Sequence, residues 1–403
     1  MNTKTASADK IQRRIAGTGN EAAALAMRQI HPNVVAAYPI TPQTEIVQIF
    51  STYVSDGLVD TEFVPVESEH SAMSATIAAS AAGARAMTAT SANGLALMWE
   101  MLYIASGSRL PIVMPLVNRA LSAPINIHCD HSDAMGARDA GWIQLFSENA
   151  QEMYDNMIQA IRIAEHPDVM LPVMVCMDGF ITSHGMEIFH VLEDDVVTKF
   201  VGEYQAKNPL LDVDNPVTVG PLDLQDYYFE HKRQQVDAME KAKAVIKQIG
   251  KEYGDLTGRY YGYFEEYRLD DAEMAIVVIN SAAGTAKEVV DQLRGQGVKI
   301  GLLKPRVFRP FMAAELREAL KDMKAIGIMD RAESFSTQGG PLAAETKAAL
   351  YELDQRPLAL NFVYGLGGRD TGVADIMLVA DKVREAAESG KVEQSLYYVG
   401  VRE

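Results

Sequence analysis

Glu67 and Glu69 close an apolar run from Thr61 to Val66 and are the first residues able to do chemistry. Paired carboxylates can divide the roles of acid and base. Only one of the two is expected to be buried. A buried glutamate is costly unless something pairs with it. His70 stands beside them. A second candidate is Thr41, within Tyr38-Pro39-Ile40-Thr41-Pro42. Each proline biases the residue before it away from the α region, which makes the turn stiff and extended. Thr41 is expected at a helix N-cap, Pro42 at the first helical position and Glu45 in the first turn. The free N–H groups of such an end suit an anion, although the same residues also make a plain strand-to-helix turn. The densest group of metal-ligand types is His128-Cys129-Asp130-His131-Ser132-Asp133. His128, Asp130, His131 and Asp133 could form a shell. No helical phase brings them together, so the segment reads as a polar loop closed by its own hydrogen bonds.

Alternating strands and helices must position these residues. Asn33 to Ala37 reads as a buried strand, and after the turn Ile46, Ile49, Phe50 and Tyr53 lie on one helix face. Asn20 can cap an earlier helix through Met27. Ser71 to Gly83 holds mainly small residues, the composition of a helix packed closely on a neighbour. Then come a strand Ala86 to Thr90, a turn Ser91 to Gly94, a helix Leu95 to Ser106 and a strand Ile112 to Val117 that ends at Asn118-Arg119. A helix Ala150 to Glu165 and a buried strand Met170 to Met177 complete the series. The order implies an α/β fold with a doubly wound parallel sheet, which holds ligands at the carboxyl ends of its strands.

The pattern breaks after Asp178-Gly179-Phe180. Seven of the 16 tyrosines fall between Tyr227 and Tyr267, and Gln225 to Gly250 reads as a helix. This stretch, about 187–270, reads as a connection packed on a partner, or as a solvated linker with one helix. A smaller α/β unit opens at Met274 to Ile279. Its loop Asn280 to Thr285 leads into a helix, strands follow near Val298–Leu303, Ala325–Met329 and Ala359–Tyr364, and a last helix runs from Val373 to Ala387.

Composition excludes several function classes. A net charge of −17 disfavours nucleic acid and anionic membranes as partners. The apolar run Val169 to Met177, broken by Pro172, falls short of the roughly 20 residues of a membrane span. Lys4, Lys10, Arg13 and Arg14 are followed by no apolar stretch, so no signal peptide is expected. Cys129 and Cys176 are isolated. They fit a reducing cytoplasm and cannot house an iron–sulfur cluster. Gly365-Leu366-Gly367-Gly368 has Asp370 where a dinucleotide fingerprint needs glycine. Met177-Asp178-Gly179 resembles the Gly-Asp-Gly metal–diphosphate motif of thiamine enzymes, with Asn208 further on. The first glycine is missing and acidic residues intervene, so it is rejected.

Tyr38-Pro39-Ile40-Thr41-Pro42, Glu67-Ser68-Glu69, Thr90-Ser91-Ala92-Asn93-Gly94-Leu95, Asn118-Arg119-Ala120, Asp130-His131-Ser132-Asp133 and Asp178-Gly179-Phe180 occur in an order that resembles the 2-oxoacid:ferredoxin oxidoreductases. Within that family the resemblance is greatest to the α subunit of the pyruvate-type enzymes. It implies a thiamine-pyrimidine-binding domain over 1–257, with its long connection, and a transketolase C-terminal-like domain over 271–403. By the same resemblance Glu69, not Glu67, meets N1′ of the thiamine diphosphate aminopyrimidine. A glutamate there favours the imino tautomer, so the cofactor becomes its own base. Carbon dioxide is lost from the 2-oxo acid, electrons leave singly, and coenzyme A collects the acyl group. Thr41 and Arg119 resemble the residues that bind the substrate. Tyr38 and Asn93 resemble cofactor contacts, although Ala92-Asn93 departs from the Ser-Gln of the single-chain enzymes. Thr41 is compatible with pyruvate and disfavours a dianionic substrate. The resemblance also implies partner subunits that bring the diphosphate–Mg2+ site, the [4Fe-4S] clusters and a γ-type domain, with ferredoxin or a similar acceptor. Open alternatives are the same chemistry on a branched, aromatic or dicarboxylic 2-oxo acid, or a non-catalytic scaffold subunit.

Overall fold

The computed structural model describes residues 11–402 apart from 337, so Lys4 and Lys10 lie outside the described residues. Seven strands form the first sheet, in the spatial order Val307–Arg309, Ile143–Ser147, Val173–Asp178, Val113–Asn118, Ala86–Met87, Val34–Ala37, Glu62–Pro65. Neighbours run parallel throughout, except that Val307–Arg309 is antiparallel to Ile143–Ser147. Helices cover both faces of a parallel sheet, so its inner strands are apolar along their length rather than alternating. The three strands from 113 to 178 are buried at every residue. Because the strands are parallel, the segments after Ala37, Pro65, Met87 and Asn118 all emerge at one edge.

The helices on this sheet start and stop on local signals. Thr18 and Glu21 form a reciprocal capping box for Gly19–Ile30. Ser68 caps Glu69–Ala82, which ends on Gly83 in the left-handed region. Its small residues let it lie close over the strands Val34–Ala37 and Ala86–Met87. Three expectations need correction here. Asn20, expected to cap the first helix, lies inside it, and Thr18 is the cap. The helix after the proline turn is Thr44–Ser55 with Gln43 as its cap, so Thr41 is not an N-cap and Pro42 not a first helical residue. Residues 41–43 make a separate turn, closed by a hydrogen bond from the Gln43 N–H to the Ile40 carbonyl. The helix expected over Leu95–Ser106 is two, Ala92–Leu97 and Trp99–Gly107, joined at Met98. Ser91 is extended and opens the first of them, so Asn93 and Gly94 sit in a helical turn rather than a free loop.

The strand after Gly83 pairs regularly only at Ala86–Met87 and rejoins the sheet through one bridge, Thr90 to Leu116. Past Asp178 the chain forms Glu187–Leu192, paired antiparallel with Gln12–Gly17, then helices Asp194–Val201 and Tyr228–Thr257. The tyrosines of this stretch largely serve the chain itself. The Tyr253 and Tyr261 hydroxyls donate to buried Asp155, joined by Arg259. Exposed apolar side chains lie elsewhere in the connection, at Leu211, Val213, Leu222 and Phe229.

The second sheet has six strands in the order Leu396–Val399, Leu358–Tyr364, Ala325–Asp330, Met274–Val277, Ile300–Pro305, Phe264–Tyr267, parallel except for the last. Val307–Arg309 leaves this unit to edge the first sheet, which ties the two halves together through main-chain hydrogen bonds. No helix among the described residues is long and apolar enough to cross a membrane.

Candidate functional site

Glu69 is the first residue of its helix, where the partial positive charge of the free N–H groups favours a carboxylate. It is only 7% exposed, and the described residues give its carboxylate no hydrogen bond and no ion pair. Glu67 is exposed, and the Ser71 hydroxyl on its carboxylate lowers its pKa. One glutamate is buried and the other is not, as expected. In an extended strand the two would share a face, but the strand stops at Pro65 and the start of a helix turns Glu69 inward. Gly94 faces it: a Cβ there would come within 2.8 Å of Glu69 Oε1 and would also meet the Thr90 hydroxyl, which is buried and has no partner. Only glycine leaves room for the carboxylate. The arrangement is a buried acceptor held open, which fits a donor nitrogen such as that of an aminopyrimidine.

Asn93, next to that glycine, is exposed, and its side-chain oxygen accepts from the Ser122 N–H and hydroxyl at 3.3 Å. Arg119 is 7% exposed. Its Nε donates to the Asn126 carbonyl at 2.9 Å and Nη1 to the Thr41 carbonyl at 2.9 Å, which leaves Nη2 without a protein acceptor. Thr41 and Arg119 are thus brought together, with the Thr41 side chain exposed. Tyr38, 37% exposed, begins the same turn. Pro42 of that turn reaches the end of the strand Val173–Asp178, where a Cβ on Gly179 would lie 2.9 Å from Pro42 Cγ. All five sequence candidates therefore lie on the carboxyl edge of the first sheet. A cleft of about 980 Å3 lined by Tyr103, Arg109, Tyr204, Lys207 and His231 opens at the opposite, amino edge, away from these groups.

The shell weighed for His128, Asp130, His131 and Asp133 is not assembled. The His128 ring lies tilted against Phe180, Asp130 accepts from Ser132, and Asp133 accepts from backbone amides. His131 instead meets Asp178, Nε2 to Oδ1, at 2.7 Å. Asp178 is fully buried where the two halves meet. It accepts from Asn280 at 2.9 Å and from the Ser281 hydroxyl, with Cys129 Sγ at 3.3 Å. Arg331 Nη1 lies 3.3 Å from Asp178 Oδ2, close enough for ionic attraction but without hydrogen-bond geometry. Burial works to raise the Asp178 pKa, yet the Arg331 and His131 charges outweigh it and hold the group well below the usual carboxylate range. Cys129, His131 and Asp178 offer three ligand atoms within 4.8 Å of one another, but a guanidinium already supplies the local positive charge.

Residues 25–251 match the family of pyruvate flavodoxin/ferredoxin oxidoreductases, thiamine diphosphate-binding, and residues 272–376 match pyruvate:ferredoxin oxidoreductase core domain II. Pyruvate synthase subunit PorA of Thermotoga maritima is 56% identical over 395 residues, 98% of this chain and 100% of that one. The chain belongs to the pyruvate:ferredoxin oxidoreductase family. Ketoisovalerate oxidoreductase subunit VorA of Pyrococcus abyssi is also similar, 44% identical over 94% of this chain and 95% of its own length. Among solved structures, a 2-oxoglutarate:ferredoxin oxidoreductase from Magnetococcus marinus has the same fold, with a TM-score of 0.72 at 20% identity. That likeness covers 93% of this chain and 65% of the other. A split-gene transketolase shares the fold more loosely, with a TM-score of 0.53 over 91% of this chain and 97% of that one. Family membership confirms the α/β architecture and the oxidoreductase class that the motifs implied.

Residue-by-residue reading missed Asp133, Asp178 and Arg331 as organising groups. Asp133 and Asp178 were visible as residue types in suspicious runs. Arg331 lies in an ordinary-looking loop after a strand, and its pairing with Asp178 depends on how the two halves meet.

Proposed function

We propose that this chain is the α subunit of a thiamine diphosphate-dependent pyruvate:ferredoxin oxidoreductase, which converts pyruvate and coenzyme A to acetyl-CoA and carbon dioxide or runs in reverse. The observation that carries this is Glu69, a buried carboxylate with no protein partner, facing a glycine at the carboxyl edge of the sheet. Thiamine diphosphate, when bound, supplies a carbon nucleophile and a sink for the electron pair released with carbon dioxide. Glu69 accepts the hydrogen bond of the pyrimidine N1′ and holds the proton there. Burial without a competing donor strengthens that bond, because the local dielectric is low. Asn93 and Tyr38 flank the same ring.

Arg119 is suited to the substrate carboxylate. Two backbone carbonyls fix its guanidinium plane and leave Nη2 without a protein acceptor, and a planar fork matches a carboxylate. Thr41, whose backbone carbonyl holds Arg119 Nη1, offers its hydroxyl to the carbonyl oxygen. One guanidinium and one hydroxyl provide for a monoanion, which favours pyruvate over a dicarboxylic 2-oxo acid. The chain's only cysteines, Cys129 and Cys176, are both buried and single, and the Asp178 carboxylate is occupied by protein groups. Partner subunits therefore bring the Mg2+–diphosphate half-site, the [4Fe-4S] clusters and the γ-type domain, and ferredoxin or a similar carrier takes the electrons. A cytoplasmic location belongs to the same reading.

A branched-chain substrate is the second reading, favoured by the 44% identity to a ketoisovalerate oxidoreductase subunit. Steady-state kinetics of the assembled complex on pyruvate, 3-methyl-2-oxobutanoate, phenylpyruvate and 2-oxoglutarate distinguishes the two. The highest kcat/KM is expected for pyruvate; a higher value for the branched acid would transfer the assignment.

A further inference from the structure

Asp133 is completely buried, and its two oxygens have different tasks. Oδ1 accepts from Asn118 Nδ2 at 2.9 Å and from the Ala134 N–H at 2.7 Å. Oδ2 accepts from the Ala92 N–H and the Arg119 N–H, both at 3.0 Å. One oxygen atom therefore joins the backbones of two segments that leave the sheet at neighbouring strands. Ala92 precedes Asn93, and the other amide is that of Arg119 itself. The joint is made against resistance. Ala92 has φ of 42°, a left-handed conformation that a residue with a side chain adopts at a cost. The group is also buried as a carboxylate, and burial raises its pKa to about 6 against the opposing hydrogen bonds from Asn118, Arg119, Ala92 and Ala134. A strained backbone and a desolvated charge meeting at one atom, next to two site residues, is the pattern of a position over-determined for function.

We infer that Asp133 is a positioning residue for the oxidoreductase reaction: by clamping the Ala92 and Arg119 amides with one oxygen, it sets the separation between the cofactor-facing Asn93 and the substrate-facing Arg119. It touches neither ligand itself. Asparagine in its place has one oxygen and one amide group. If the amide group faces Ala92 and Arg119, three donors converge and the clamp is lost; if it faces Asn118 and the Ala134 N–H, three donors converge there instead, and the clamp is kept only at the expense of those hydrogen bonds. Exchanging the pair, Asn118→Asp with Asp133→Asn, restores a donor–acceptor match across positions 118 and 133 and leaves the oxygen of residue 133 for the two backbone amides.

The inference rests on the proposed role of Arg119, so the test includes that residue. The assembled complex with Asp133→Asn is expected to show a KM for the 2-oxo acid raised ten- to a hundredfold, with thiamine diphosphate still bound. The exchanged pair is expected to bring KM back to within about threefold of the unsubstituted complex. A purely structural role would lower the unfolding temperature of Asp133→Asn and leave KM unchanged, which overturns the inference. So would an exchanged pair that assembles but keeps the single variant's KM, or failure of both variants to assemble. Arg119→Ala separates the two claims. If it leaves KM unchanged, the substrate assignment itself fails; if it raises KM while Asp133→Asn does not, only the clamp does.

Discussion

Two buried carboxylates in this chain, Glu69 and Asp178, have opposite surroundings. Asp178, at the junction of the two halves, is surrounded by His131, Arg331, Asn280, Ser281 and Cys129. Glu69, at the open edge of the first sheet, has only a helix N-terminus behind it and a glycine in front. A buried charge that holds a fold together is paired within the fold, because an unpaired one costs several kcal/mol. A buried charge left without a partner costs stability for which the fold alone shows no return. The difference separates a carboxylate that the fold satisfies from one that it leaves open. Residue type does not reveal it, since the sequence around Asp178 looks more like a cofactor motif than that around Glu69.

The comparison breaks most visibly by substitution at Glu69. Glu69→Gln in the assembled complex is expected to leave the fold intact and remove nearly all turnover, measured as 2-oxo acid-dependent reduction of the electron acceptor. Glu67→Gln, on the exposed side, should cost far less, and equal losses would end the distinction. Asp178→Ala is the counterpart. It leaves Arg331 buried without its anion, and the chain should lose about 3–5 kcal/mol of unfolding free energy in denaturant titrations. A loss of activity without a loss of stability at this position would contradict its structural role.

Smaller effects sharpen the picture. Arg119→Ala and Thr41→Ala should weaken use of the 2-oxo acid by about 1–3 kcal/mol, read as a rise in KM, while calorimetry still finds thiamine diphosphate bound. Loss of the cofactor with KM unchanged would reverse the assignment. Asp330 gives the least effect. It is buried like Asp178 but satisfied by the Leu342 and Ala343 N–H groups and Asn361, and burial raises its pKa to about 6. Its unfolded pKa is about 3.9. The stabilising proton is therefore fully held below about pH 4 and lost as pH rises through 6. From pH 7 to pH 5 the chain should gain about 1 kcal/mol relative to Asp330→Asn. Asp178 has the opposite sign: its contribution is present above about pH 4 and is lost only as acid reaches its depressed value.

Much of this was legible in the sequence because it depends on local rules. The strands Asn33–Ala37 and Met170–Met177, the small-residue helix and the final helix follow from apolar runs and caps, and the parallel order follows from their alternation with helices. The grouping of the candidate residues was legible because the ends of parallel strands share an edge, so motifs far apart in sequence converge without any knowledge of packing. What stayed hidden depends on contacts between distant segments. The Thr41 turn looked like a helix cap because Pro42 suits a first helical position, yet the Gln43 N–H closes a tighter turn first. His131 looked like a ligand in a polar loop, but its partner Asp178 is 47 residues away. Tyr253 and Tyr261 looked like part of an assembly surface, but Asp155 collects their hydroxyls.

The central claim is that this chain supplies one half of a shared site: the pyrimidine-side acceptor Glu69 and the substrate-side Arg119, but neither the metal–diphosphate half nor the clusters. The direct test is reconstitution from separately purified subunits. Bound thiamine diphosphate, iron content and pyruvate-dependent reduction of a dye are measured for the chain alone and after partner subunits are added. The lone chain is expected to bind the cofactor weakly, contain no iron and show no turnover, with all three properties appearing on assembly. Stoichiometric cofactor and activity in the lone, pure chain would contradict the account and return Asp178 to consideration as a metal–diphosphate residue.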